Sequence, residues 1–297
     1  MEFKEGKLFA KVPGQPTYAL EPLGGRRYKF APPAPNGFFV TFRPNKDNPK
    51  KAEALLEQPQ GNVVISKKDA TIEYKAPLSV EELLQKAVEA MGGESNLRKV
   101  KSVTIWTQMV AENQGFNANT TQYYKSPNLF AEVTELRAIG KKIGQTREYF
   151  NGKSGGTEAS FVPTSIKREE ELAEAERSHL LYSVLEAKRL FKEIIITGIE
   201  KVNEEETYVV EKKPEKGMPV REFFSTKTFR LLKSVIKGNT LTYHDFRKVG
   251  NLLIPFRTYI TSPDEGHLVS TILKVKLDEA LADSLFAATP KAESATP

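Results

Sequence analysis

Apolar and polar positions change rhythm twice along this chain. Between residues 7 and 67, short apolar alternations stand between clusters of turn-forming residues: Lys7 to Val12, Thr17 to Leu20, Arg26 to Phe30, Phe38 to Phe42, Ala54 to Glu57 and Val63 to Ser66. Pro13-Gly14, Gly24-Gly25, Pro32 to Gly37, Pro44 to Pro49 and Pro59 to Gly61 punctuate them. Many short strands at this spacing predict a small β-barrel or sandwich and not a βαβ unit. Ser79 then opens a helical rhythm, with Val80, Leu83, Leu84, Ala87, Val88 and Met91 on one face. Ser79 and Glu82 have capping-box spacing, and Gly92-Gly93 supplies a left-handed stop.

After a short turn around Asn96 to Val100 the period becomes two. Val103, Ile105, Thr107 and Met109 point one way, and Thr104, Trp106, Gln108 and Val110 the other. Further strands are expected at Ala118 to Tyr124, Phe130 to Leu136, Ile143 to Phe150, Ile194 to Glu200, Thr207 to Glu211, Val220 to Ser225, Arg230 to Lys237, Leu241 to Arg247, Leu253 to Thr261 and Leu268 to Leu277. One helical insertion interrupts them between Thr164 and Phe191, where Leu172, Ala175, Leu180, Leu181, Val184, Leu185 and Ala187 are apolar. The fold class expected is mainly β (α+β). The expected organisation is a small β-domain over 1–67, a linker over 68–78 around Pro77, a large curved antiparallel sheet over 79–290, and a disordered tail over 291–297.

Composition narrows the class. The 297 residues are 39% hydrophobic and 28% charged, ordinary for a globular protein, and no run approaches the ~18 to 20 apolar residues of a membrane-spanning helix. The absence of cysteine removes disulfides, thiol catalysis and cysteine-ligated zinc. The net charge of +6 is uneven: residues 1–78 hold 13 Lys/Arg against 8 Asp/Glu, and the remainder is close to neutral. Basic residues interleaved with acids do not form the clustered, aromatic-lined face that nucleic acid requires, so no nucleic-acid partner is expected.

Candidate chemistry is sparse. His179, His244 and His267 lie far apart and form no metal-ligand spacing, so no metal or cofactor is expected. His244-Asp245 lacks a Gly-x-Ser-x-Gly nucleophile turn to serve. Gly152-Lys153-Ser154 imitates the end of a phosphate loop, but Arg147 stands where its first glycine belongs, and Asn151-Gly152 suits a hairpin turn. Glu204 to Glu206 read as a hairpin tip, and Arg168 to Glu171 with Glu174 and Glu176 as the wet face of a helix.

Two resemblances add to this. The stretches GKLFAKVPGQPTYALEPLGGRRYKF, GFFVTF and LLEQPQGN resemble the small β-domain that follows the catalytic domain in many beta-lactamase-like serine hydrolases. Such domains begin with a further strand upstream, so the resemblance implies an N-terminally incomplete domain and a chain that is part of a longer polypeptide.

The order of helix, MGGESNLRKVKSV, YYKSPN, YFNGKSGG, helical insertion, LLIPFRTYI and DSLF resembles the bacterial lipoprotein-localisation carriers of LolA/LolB type, in particular outer-membrane lipoprotein-sorting domains, over about 79–290. That family implies a half-barrel, a curved antiparallel sheet whose concave face is covered by helices. It also implies non-enzymatic binding of a lipid or lipoprotein acyl chain and a periplasmic or extracytoplasmic location, although MEFKEGKLFAKV contains no signal peptide. On that basis the expected groove residues are Trp106, Tyr124, Phe130, Phe224, Leu232 and Tyr243 on the sheet, with Leu83, Val88, Leu181 and Val184 on the covering helices. The competing expectation is a structural or protein-interaction module attached to a larger hydrolase or peptidase.

Overall fold

The computed structural model describes residues 2–4, 6–10, 17–45, 52–59, 61–66, 74–111, 115–263 and 265–289. The chain divides into two compact units, Met1–Glu73 and Tyr74–Pro297. The Pro13-Gly14 turn, most of the expected linker and the expected tail lie outside the described residues.

The first unit is a single antiparallel meander of β1 (Glu2–Lys4), β2 (Lys7–Ala10), β3 (Tyr18–Gly24), β4 (Arg27–Phe30), β5 (Phe39–Pro44), β6 (Ala52–Gln58) and β7 (Gly61–Ser66), paired in chain order. β1 precedes the first strand expected from the sequence. Alternate residues supply one core: Ala10, Leu20, Phe30, Val40 and Ala54 are buried, with Leu8, Tyr18, Tyr28, Phe42 and Leu56 packed around them. One cluster on one face is what a seven-stranded sheet can bury by curling around its own side chains. On β6, Glu53 is nearly buried and accepts from Arg43 Nε at 2.7 Å, so its charge is compensated.

The second unit opens with α1 (Val80–Ala90) and α2 (Glu94–Lys99). It continues through β8 (Ser102–Ala111), β9 (Phe116–Lys125), β10 (Leu129–Ala138), β11 (Lys141–Phe150), β12 (Gly155–Ala159) and β13 (Ser165–Ile166). The helical insertion is α3 (Glu169–Arg177), α4 (Leu180–Leu185) and α5 (Ala187–Leu190). β14 (Glu193–Val202), β15 (Glu205–Lys213), β16 (Val220–Ser225), β17 (Leu231–Ile236), β18 (Asn239–Val249), β19 (Leu252–Ser262) and β20 (Gly266–Leu277) complete the sheet.

All thirteen strands join one antiparallel sheet in the order β13-β12-β11-β10-β9-β8-β20-β19-β18-β17-β16-β15-β14. The last strand returns to pair with the first, so the two free edges, β13 and β14, are consecutive in sequence. The helical insertion therefore has to travel from one edge to the other across a face of the sheet. A sheet of more than ~10 strands curls, and register shifts at Leu136/Arg137, Ile196/Gly198, Phe223/Phe224 and Ile272/Lys274 bend the strands further. The result is a curled half-barrel with helices on its concave face.

Two clusters fill that face. Val103, Ile105, Tyr124, Phe130, Phe150, Leu252, Ile254 and Phe256 form one with Leu97, Ala175 and Leu181 from the helices. Tyr208, Val210 and Phe224 form the other beneath Leu83 and Ala87 of α1. The outer face carries smaller clusters, one of which buries Phe286 of the short Asp283–Phe286 turn against Ala131 and Tyr149. Arg147 holds that C-terminal segment by donating to the carbonyls of Leu285 at 2.8 Å and Ala287 at 2.7 Å. Among the described residues, no helix is long and apolar enough to cross a membrane.

Candidate functional site

The roof of the concave face is built by α1. Ser79 Oγ accepts from the Glu82 amide at 3.1 Å, and Glu82 Oε2 accepts from the Ser79 amide at 2.7 Å, so the helix starts where the sequence predicts. Leu83 and Ala87 pack down onto Tyr208, Val210 and Phe224, while Val88 and Met91 reach the first cluster. Its end is fixed by the Gly93 amide donating to Val88 O and the Gly92 amide to Glu89 O, each at 3.0 Å. The Leu253 amide then donates to Met91 O at 2.9 Å, which ties the helix end to β19.

The insertion supplies the second half of the roof. Ala175 of α3 and Leu181 of α4 enter the cluster around Tyr124 and Phe130. Between them His179 is buried edge-on to Tyr124, ring centroids 5.2 Å apart. Burial pulls the His179 imidazole from 6.5 down to about 4, against the smaller opposing effect of hydrogen bonding with backbone at Lys125 and His179.

This shift has a testable sign. The folded chain keeps His179 neutral while the unfolded chain takes a proton at about 6.5. The stability associated with the neutral ring is therefore present above pH 6.5 and is lost as pH falls from 6.5 toward 4. Burial raises the Glu132 carboxyl and biases the same range in the opposite direction, so the informative quantity is a difference between proteins. In denaturant unfolding, wild type is expected to lose stability more steeply across that interval than His179→Gln. Parallel pH profiles would contradict the assignment.

Between roof and sheet lies a cavity of about 440 Å³. Leu84, Ala87 and Met91 of α1 and Val184 of α4 form its upper wall, with Phe224, Leu231, Ile236 and Tyr243 below. Burial pushes the Tyr243 phenol up to about 12, so its hydroxyl stays protonated and donates to Ser234 Oγ at 3.2 Å. Two ion pairs sit in the wall: Lys212–Glu222 and Lys237–Glu174, each at 2.5 Å. The first is the drier, with the Lys212 side chain 6% exposed. Two further cavities adjoin the helices, one of about 280 Å³ beside Tyr124, His179 and Leu181, and one of about 390 Å³ beside Leu84, Val88 and Val184.

Of the residues expected to line a groove, Phe224, Tyr243 and Val184 meet in the cavity of about 440 Å³. Leu83 is fully buried and braces Phe224 without facing the space. Tyr124, Phe130 and Leu181 belong to the neighbouring cluster, with Val88 against it. Trp106 and Leu232 lie on the opposite face of the sheet. Trp106 stands beside the Lys274 and Lys276 ammonium groups at 5.2 and 5.9 Å, and Leu232 packs with Val202, Val209, Phe223 and Val235. The physical reasons differ: Trp106 is out of phase with the inward Ile105, whereas Leu232 is the residue passed over by the register shift that pairs Lys233 with Phe223 and Leu231 with Phe224, so that Leu231 faces inward in its place.

The expected groove set left out Lys212 and Glu222. Strand phase carried the signal, because Lys212 continues the inward alternation of Tyr208 and Val210, and Glu222 that of Phe224.

The other candidates are structural. Asn151 Oδ1 accepts from the amides of Lys153 at 3.1 Å and Ser154 at 2.8 Å, which closes the turn at Gly152. Asn203 and Glu204 form the β14–β15 tip, and Glu205 and Glu206 begin β15. Among the described residues, no group of three His, Asp or Glu side chains is arranged to hold a metal ion.

No family model matches the chain, and no curated protein matches it. Among solved structures, a DUF1329 family protein from Desulfovibrio piger is 11% identical, with a TM-score of 0.49 over 70% of this chain and 97% of that one. An outer membrane lipoprotein-sorting protein domain from Vibrio parahaemolyticus is 11% identical, with a TM-score of 0.46 over 69% and 94% of the two chains. A LolA superfamily protein from Nitrosomonas europaea is 14% identical, with a TM-score of 0.48 over 71% and 98%. At such identities and TM-scores the likeness assigns this chain neither a family nor a ligand.

Proposed function

We propose that the second unit is a non-enzymatic, extracytoplasmic binding module that takes the acyl chain of a lipid or lipoprotein into the cavity beneath α1 and α4. The observation that carries this reading is an apolar space of about 440 Å³ between the concave sheet and its helical roof. That volume lies within the range of about 300–1,000 Å³ typical of small-molecule sites. Burying hydrocarbon gains roughly 0.8 kcal/mol per methylene, so a chain of about ten methylenes recovers roughly 8 kcal/mol before ordering costs. Binding of this kind draws on burial alone and requires no reactive group in the site.

Val184 belongs to α4, in the second half of the roof, and lines the cavity from above. Val184→Trp is expected to fill the space and weaken binding of a fluorescent fatty-acid probe at least tenfold, with the unfolding midpoint close to that of wild type. Native mass spectrometry of gently purified wild type is expected to show bound lipid. A wild-type protein that carries no lipid and binds no probe would end this reading.

A further inference from the structure

The charges around the cavity beneath α1 and α4 do not cancel. Lys212 is matched by Glu222 and Lys237 by Glu174, each at 2.5 Å. Arg177, the last residue of α3, lines the same cavity and forms no ion pair among the described residues. Its acidic neighbours on α3 are engaged elsewhere, Glu174 by Lys237 and Glu176 by Arg189 at 2.8 Å. Glu170 approaches Gly217 alongside Arg177 without pairing with it. The Arg177 guanidinium faces the Phe191 ring at 5.9 Å. Partial burial lowers its pKa against the pull of Glu174, Glu176 and Glu170, a sign that the cation lacks full compensation. An uncommitted guanidinium fork at the wall of an apolar space is suited to bidentate binding of an oxyanion.

We propose that the cavity takes a single-chain amphiphile with an oxyanion head, carboxylate or phosphate, and that Arg177 binds this head while the hydrocarbon lies between Val184 and Phe224. The assignment rests on the acyl-chain reading and adds the class of head group. One guanidinium and a space of about 440 Å³ fit one head and one chain.

The test compares dodecanol, dodecanoate and dodecyl phosphate, measured by titration calorimetry on the full chain. Wild type is expected to bind both anions at least ten times more tightly than the alcohol, and the tighter anion identifies the head. Arg177→Met is expected to abolish that preference while leaving dodecanol within about twofold of wild type, and Arg177→Lys to restore part of it. If dodecanol binds as tightly as the anions, or if Arg177→Met weakens all three equally, the acyl site stands and the head-group assignment falls. If none of the three binds, both fall.

Discussion

Gly92→Ala is expected to destabilise the second unit by more than about 3 kcal/mol, far beyond the cost of an ordinary surface substitution. Gly92 follows the end of α1 with φ +129°, and a Cβ built on it would lie 2.2 Å from the carbonyl oxygen of Asn251 and 3.2 Å from the Cα of Leu252. Those atoms are backbone of the β18–β19 turn and the start of β19, so no side chain can swing aside. The approach is fixed by two links: Leu253 donates to Met91 O at 2.9 Å, and Asn96, which donates to Gly92 O at 2.7 Å, accepts from Asn251 Nδ2 at 3.2 Å. A methyl group must therefore push α1 off the sheet or break these bonds, on top of the backbone strain.

Gly93 provides the internal control. It too has positive φ, +85°, but a Cβ there meets nothing within 4 Å. Gly93→Ala is expected to cost about 1–3 kcal/mol, the backbone part alone, because φ 85° and ψ 148° lie in a region that side chains with a Cβ rarely adopt. The chain's one tryptophan, Trp106, lies in β8, so its fluorescence follows unfolding of the second unit selectively. Equal midpoints for the two variants would show that the close approach does not hold the helix in place. Because α1 roofs the cavity, Gly92→Ala is also expected to weaken probe binding, whereas Gly93→Ala leaves it near wild type.

The helix and its stop were legible because they are local: the capping residues, the apolar stripe and the double glycine all lie within fifteen positions of one another. Most strands were legible for the same reason, through alternation. β12 and β13 were not, since Gly155-Gly156 and the two residues Ser165-Ile166 contain too little alternation to mark a strand. The face each strand presents was harder still. Both sides of the sheet bear apolar clusters, so Ile105 and Trp106, or Leu231 and Leu232, are equally acceptable inward residues until the register is known. The Phe223/Phe224 register shift compounds the difficulty beside Leu231. Arg177 resisted for another reason: its distinction is that it forms no ion pair among the described residues, which arises from distant pairings such as Lys237 with Glu174.

Glu222→Leu is expected to cost about 3–5 kcal/mol, because it removes the counter-charge from an ammonium group already withdrawn from water. The Lys212 side chain is 6% exposed and that of Glu222 16%, and the Lys212 ammonium lies 5.4 Å from the Phe191 ring centre and 5.8 Å from that of Phe224. These aromatic faces attract the cation but do not replace a carboxylate. The double variant Lys212→Met/Glu222→Leu is expected to regain most of the loss and to match or exceed wild type, since apolar groups of similar volume incur no desolvation cost. The two stabilities, followed through Trp106, also report on the cavity itself. If Glu222→Leu costs less than about 1 kcal/mol, as an exposed pair would, water reaches Lys212 through the cavity and the space is too wet to favour hydrocarbon. A large single cost with recovery in the double variant requires a dry wall, and a dry wall is the condition under which an acyl chain gains from entering.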